Sequence, residues 1–421
     1  VGAARMLEAA KDRNKYTQKD RLLYFIDAGM LNHYAGNFDS SNAKLHLAEE
    51  AAEELFTKSV SRAAASFLLN DNVLEYAGED YEILYTNLIK ALNYIALEQF
   101  NEAFVEIRRA NLKLELLEQK YVDAAEQLQR GSPDDTGRVE IDYDIDKVRF
   151  HNDAFARYLS MHLYAADGKM DDARIDYNLL GQAFYSQPHV YNFLPPEVNY
   201  DSKDRAILSV VALVGLAPVK EALNLRIRTD KDLELVQVLY DDPQNKGAEY
   251  GHLPVKVKAD YYFKFAIPKI VPRPSLVNRI RVLANGKPIG QLQLLEDVSQ
   301  VTKETFAAKK SLIYIRSLAR AIAKGLATHK LKKKADTGGL AGWLKKAAID
   351  VGTDLTENAD LRSSRFLPGL IYIGDFEIEP GTYDLSVEFY LADGSLTGRS
   401  DYNDYEVVKK GLNLIEAFSV L

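Results

Sequence analysis

The sequence predicts a mixed α+β chain: an α-helical repeat domain over residues 1–200, then a β-sandwich over 205–421 that carries a helical insertion at 300–362. Three observations predict it. Apolar residues recur at spacings of three and four from about residue 3 to 193, in a background rich in Leu, Ala, Glu and Lys. From about residue 205 the period drops to two, as in "ALNLRIRT", "VKVKADYYFKFAIP" and "TYDLSVEFYL", the alternation of strands with one buried face. Between "GQLQLLEDV" and "LIYIGDFEIEPG" the helical texture returns.

Three stretches of the helical part share a set of offsets. Gly29, Gly36, Phe38, Ser41, Leu45 and Ala48 form the first; Ala91, Glu98, Phe100, Ala103, Ile107 and Ala110 the second; Met161, Gly168, Met170, Ala173, Tyr177 and Leu180 the third. Each reads as a helical hairpin, with small residues where two helices cross and a ring or Met where the second begins. This resembles the tetratricopeptide repeat, although the leading Trp is missing and the separations are close to twice the usual length of about 34 residues. A compact, irregular set of hairpins is therefore expected, with a generic helical bundle as the alternative. "QRGSPDDTGRVEIDYDIDK" reads as a loop between helices, and the three prolines of "SQPHVYNFLPPEVNYDSKD" mark a domain boundary.

In the second part, turn signals stand at Asn285-Gly286, Pro380-Gly381 and Asp393-Gly394, and seven or eight strands are expected. The insertion is basic: Lys303 to Lys346 holds twelve Lys or Arg against two acids, in a chain whose net charge is -8. Its amphipathic helices, Gly-rich joint and lone Trp343 admit three readings. The apolar faces pack on the sandwich and the lysines are solvated; or Lys332, Lys333, Lys334, Trp343, Lys345 and Lys346 contact a partner subunit, including a second copy; or they rest on an anionic membrane surface. Nucleic acid fits poorly, because no aromatic stacking residues are interleaved with the lysines and the whole chain is acidic.

Cysteine is absent, which excludes disulfides, thiolate metal sites and cysteine nucleophiles. No two of the seven histidines stand at i, i+4, and no phosphate-cradling or nucleophile-elbow motif occurs, so neither cofactor nor metal is expected. His33 and His46 share a hairpin and are close enough to approach each other, although packing or surface roles are favoured. The acids of "DYDID" read as a solvated loop rather than a calcium site. In "LLNDNVLEYAGEDYE", Asn70, Asp71 and Asn72 suit a turn and helix cap, and Glu79 and Asp80 the first turn of the next helix. The functional alternative makes these five residues the polar rim of a groove that receives a protein partner.

"DRLLYFIDAGMLNHYAGNFDSSN", "LLNDNVLEYAGEDYE", "YTNLIKALNYIALEQFNEAFVEIRRAN", "ARYLSMHLYAADGKMDDARIDY", "GLAPVKEA" and "TENADLRS" occur in order. Together they resemble an uncharacterised family of exported bacterial lipoproteins, often encoded near lipoproteins that activate penicillin-binding proteins. The resemblance implies repeat-like helices, a β-rich C-terminal part and a place in the cell envelope, on the periplasmic side, with a lipid anchor upstream of Val1. An aromatic residue is expected after "ADxRS", where this chain has Ser364. The expected function is a non-enzymatic scaffold that docks an envelope protein. The alternative is an enzyme acting on cell-wall glycan or peptide through paired carboxylates.

Overall fold

The computed structural model describes residues 2–61, 74–117, 119–120, 122, 149–230, 235–241, 249–254, 262–311, 313–314, 317 and 359–421. Helices α1 (Gly2–Asp12), α2 (Arg21–Tyr34), α3 (Phe38–Ser61), α4 (Asp80–Ala96), α5 (Phe100–Glu115), α6 (Ala154–Ala166) and α7 (Met170–Ser186) precede the first strand. The pairs α2–α3, α4–α5 and α6–α7 are joined by one kind of turn. Gly36, Glu98 and Gly168, which share an offset in the sequence, all have positive φ (74°, 58° and 74°). In each turn two N–H groups reach back to the helix, as in Gly36 to His33 and Asn37 to Asn32 (both 2.9 Å). This is the C-terminal capping pattern that glycine favours, so Glu98 adopts a backbone conformation that its Cβ disfavours by roughly 1–2 kcal/mol. At the first crossing, a Cβ on Gly29 would lie 2.4 Å from Leu45 Cδ2, which is why the residue there must be small.

Twelve strands follow among the described residues, more than the seven or eight expected, in three four-stranded sheets. β1 (Ala206–Val214), β8 (Gln293–Asp297), β9 (Leu370–Ile378) and β12 (Leu414–Ser419) form the first sheet, in the order β12-β1-β9-β8. β6 (Arg279–Ala284), β7 (Lys287–Gln291), β10 (Gly381–Tyr390) and β11 (Leu396–Val407) form the second, in the order β11-β10-β6-β7. β2 (Val219–Asp230), β3 (Leu235–Tyr240), β4 (Glu249–Pro254) and β5 (Tyr262–Val271) form the third. β1 runs parallel to β12 (Ser209 opposite Leu414) and antiparallel to β9 (Ala206 opposite Ile378). Asn285 and Gly286 turn β6 into β7 with φ of 49° and 74°, the paired positive values of a tight hairpin.

The first sheet lies between two cores. Val211 and Leu213 of β1, Leu295 of β8 and Ile371 and Ile373 of β9 belong to one core with the helices. Leu208, Val210 and Ala212 of β1 belong to the other, with Ile280 and Val282 of β6 and Val387 and Phe389 of β10. Burial on both faces explains why "AILSVVALV" is apolar at every position but Ser209 instead of alternating. It also means that the core of the helices continues past residue 205 into the sheet. After β8 the chain is helical over residues 298–311 (α8), and Val301 and Ala308 join the same core.

Candidate functional site

α4 buries an unusual set of polar residues for a central helix: Glu82, Thr86, Asn87, Lys90 and Asn93. Glu82, Thr86, Lys90 and Asn93, at steps of four, four and three, form one stripe, with Asn87 beside it. At its N-terminal end the chain gathers a polar cluster that joins helices to strands. Glu79 is the N-cap residue of α4 and is extended there (φ -97°, ψ 151°). Its two carboxylate oxygens are held by Lys220 of β2 (2.6 Å) and Lys309 of α8 (2.8 Å), and it is only 2% exposed. One helical turn on, Glu82 accepts from the Glu79 N–H (2.9 Å), the Tyr76 hydroxyl (2.8 Å) and the Ser364 N–H. Burial, then the neighbouring Glu79 carboxylate, pushes the Glu82 carboxyl up to about 7. Asp27 of α2 accepts from the Tyr16 hydroxyl (2.7 Å), the Arg365 N–H (2.9 Å) and the Ser364 hydroxyl (3.3 Å), and burial raises it above the usual carboxylate range. Arg362 binds Asp360 (2.8 Å) and Asp20 (3.3 Å) and donates to the Leu74 carbonyl (3.0 Å).

Four of the segments quoted from the sequence therefore meet at one place, through Asp27, Glu82, Lys220 and Arg362. Ser364, where an aromatic residue was expected, is fully buried, with its backbone N–H on Glu82 and its hydroxyl on Asp27.

Three further polar contacts tie helices to the first sheet. His33 of α2 joins Asn93 (2.7 Å) to Glu416 of β12 (2.6 Å). Glu296 of β8 is fully buried and accepts from the Tyr85 and Tyr191 hydroxyls and the Phe155 N–H, beside the buried Asp153 that caps α6. His162 of α6 lies 3.1 Å from Asp375 of β9 and 3.3 Å from Ser209 of β1. α2, α4 and α6 thus carry the first sheet through these contacts.

The last of these groups has the composition of a nucleophilic triad, but its geometry differs. Ser209 Oγ is nearly equidistant from His162 Nδ1 (3.3 Å) and Nε2 (3.4 Å), whereas a general base takes the proton along the lone pair of one nitrogen. Nε2 already faces Asp375, whose Oδ1 also accepts from Tyr158 (2.8 Å), and both Ser209 and His162 are buried. Glu82 has a carboxyl suited to proton transfer near neutrality, but every donor on it is a protein group and its side chain is fully buried.

Of the residues singled out in the sequence, Glu79 starts a helix as expected, and its buried, doubly paired carboxylate leaves no oxygen for a rim. Asp80 opens the same helix and pairs with Lys120. Asn70, Asp71 and Asn72, the acids of "DYDID", and Lys332, Lys333, Lys334, Trp343, Lys345 and Lys346 lie outside the described residues. His33 does not approach His46, which sits at the surface against Glu50 (3.3 Å). Sequence reasoning missed Lys220, Lys309, Glu82, Asp153 and Glu296; of these only Glu82 had a local signal, the polar stripe on the otherwise apolar α4. Among the described residues no group of three metal-ligating side chains occurs, and no helix is long and apolar enough to cross a membrane. No family model matches this sequence, and no curated protein or solved structure matches it either.

Proposed function

We propose that this chain is a non-enzymatic scaffold of the bacterial cell envelope, built from tetratricopeptide-like hairpins joined to a β-sandwich, and that it docks an envelope protein. One observation carries the reading: among the described residues, buried polar side chains fasten structural elements to one another, as in Glu79 with Lys220 and His162 with Asp375. Groups spent in that way hold a shape and leave the outer surface for recognition. Because α2, α4 and α6 face the sheet, the partner is assigned to the outer helices, where α5 exposes Val105 and Leu112 and α7 exposes Ile175 and Tyr177. The resemblance to exported lipoproteins supports the envelope location.

The test is affinity capture from solubilised envelope by the wild type and by Val105→Asp/Leu112→Asp. A protein retained by the first and lost by the second, at equal thermal stability, supports docking through α5. Equal capture removes that surface. The second reading, a cell-wall enzyme with paired carboxylates, is favoured by the Asp153 and Glu296 pair. It requires the wild type to release fragments from purified cell wall and Glu296→Gln to lose that activity.

The basic insertion is assigned a contact with a partner subunit or an anionic membrane. Replacing Lys332, Lys333 and Lys334 with Glu then abolishes sedimentation with anionic vesicles, at about 1 kcal/mol per lysine removed. Equal sedimentation of wild type and variant excludes the membrane; a molar mass that falls with added salt identifies self-association instead.

A further inference from the structure

Asp153 and Glu296 are fully buried, and adjacent amides at the start of α6 hold them side by side: the Phe155 N–H donates to Glu296 Oε2 (3.2 Å) and the Ala156 N–H to Asp153 Oδ1 (2.7 Å). Two ionised carboxylates possess only acceptor atoms, so neither can satisfy the other unless one of them carries a proton. The other contacts leave a place for it. Tyr85 and Tyr191 donate their hydroxyls to Glu296, and among the described residues Asp153 Oδ2 receives no donor. We propose that Asp153 and Glu296 share one proton, and that the shared proton is a pH-sensitive fastener holding α4 and α6 against β8.

Among the described residues, the titratable and charged groups facing the pair are few. Tyr85 comes from α4 and Tyr191 from the segment after α7, and burial beside these carboxyls keeps both phenols protonated. Arg157 of α6 acts on Asp153 from a distance while bound to Asp176 of α7 (3.1 Å) and Asn152 (2.9 Å). No cation bonds to either carboxyl among the described residues, so a proton is what relieves the repulsion. Burial, together with the mutual repulsion of the two groups, raises the affinity of the pair for that proton above the usual carboxylate range.

In the unfolded chain both groups ionise near pH 4. Folding therefore takes up a proton at higher pH, and stability declines as pH rises from about 4 until the pair itself ionises. The fastener is tight in acid and loose in base.

Thermal unfolding of the full chain between pH 4.5 and 8 tests this, comparing wild type with Glu296→Gln. The amide offers a permanent donor to Asp153 in place of the proton. The wild type should lose about 3–5 °C more than the variant over that range; parallel profiles overturn the proposal. If the variant does not fold, carbon-13 NMR of the wild-type carboxyl carbons decides. A joint titration of Asp153 and Glu296 above the ordinary range supports the shared proton, and two independent titrations near pH 4 overturn it.

Discussion

Two buried carboxylate clusters on neighbouring helices deal with their charge in opposite ways. In the first, Lys90 of α4 is 2% exposed and stands between Glu49 of α3 (3.1 Å) and Glu106 of α5 (2.9 Å). Asn87 donates to both glutamates (3.1 and 2.6 Å), and Lys113 and Arg109 close the cluster from the outside. Although burial works against it, the lysines hold the Glu49 carboxyl down at about 2. In the second cluster Asp153 and Glu296 have no bonded cation among the described residues, and both are pushed up. Glu82 sides with the second group, because its partners are neutral donors while Glu79 takes the cations. The lesson is that burial alone does not set a carboxyl's charge; the sign of its nearest partner does.

The largest expected effect comes from removing the cation of the first cluster. Lys90→Met leaves two buried glutamates with only Lys113 and Arg109, at the outer side, to match them, and should cost about 3–5 kcal/mol, measured by urea unfolding. A loss below about 1 kcal/mol would mean that water reaches the cluster, and the contrast with Asp153 and Glu296 would vanish.

Next in size is a dependence on pH with two opposing arms. Glu82 titrates near 7 when folded against an ordinary 4.5, so folding binds a proton between those values. Stability falls across that window as pH rises, by about 2–3 kcal/mol, and is level above it. Glu49 works the other way: its contribution is complete above 4.5 and is lost as pH falls towards about 2. Maximum stability is therefore expected near pH 4.5–5, and Glu82→Gln should make the neutral arm shallower, leaving the share of Asp153 and Glu296, while the acid arm stays intact.

A smaller change is expected for Lys220→Met, which leaves Glu79 with Lys309 alone and should cost about 2 kcal/mol. Smallest of all is Ser209→Ala, at no more than about 1 kcal/mol by thermal unfolding, since the hydroxyl lies off both ring-nitrogen directions of His162. A larger loss would show that Ser209 holds His162 more firmly than its geometry suggests.

The change of period near residue 205 was legible because helices and strands repeat their buried residues at different intervals, and the hairpin turns were legible because Gly36, Glu98 and Gly168 keep one offset. The start of α4 at Glu79 and Asp80 was legible from local acids. Other features depend on contacts that no local pattern encodes. The partners of Glu79 and Glu82 lie 141 and 282 residues away, at Lys220 and Ser364. Likewise the apolar run of β1 announces burial but not what covers each face, so a sheet shared by two cores reads the same as a deeply buried strand of one. The polar stripe on α4 was visible, yet nothing local distinguishes a lysine that is solvated from one that is caged like Lys90.

The pairing of β12 with β1 bears on how the chain is made. During synthesis β1 emerges long before the strand that will lie beside it, since Ser209 pairs with Leu414. Until then one edge of an apolar strand stays bare, and the Glu416 partner of His33 is missing. Vectorial folding therefore leaves the nascent helices perched on an unfinished platform, and closing its margin is the step at which a chaperone would have most to protect.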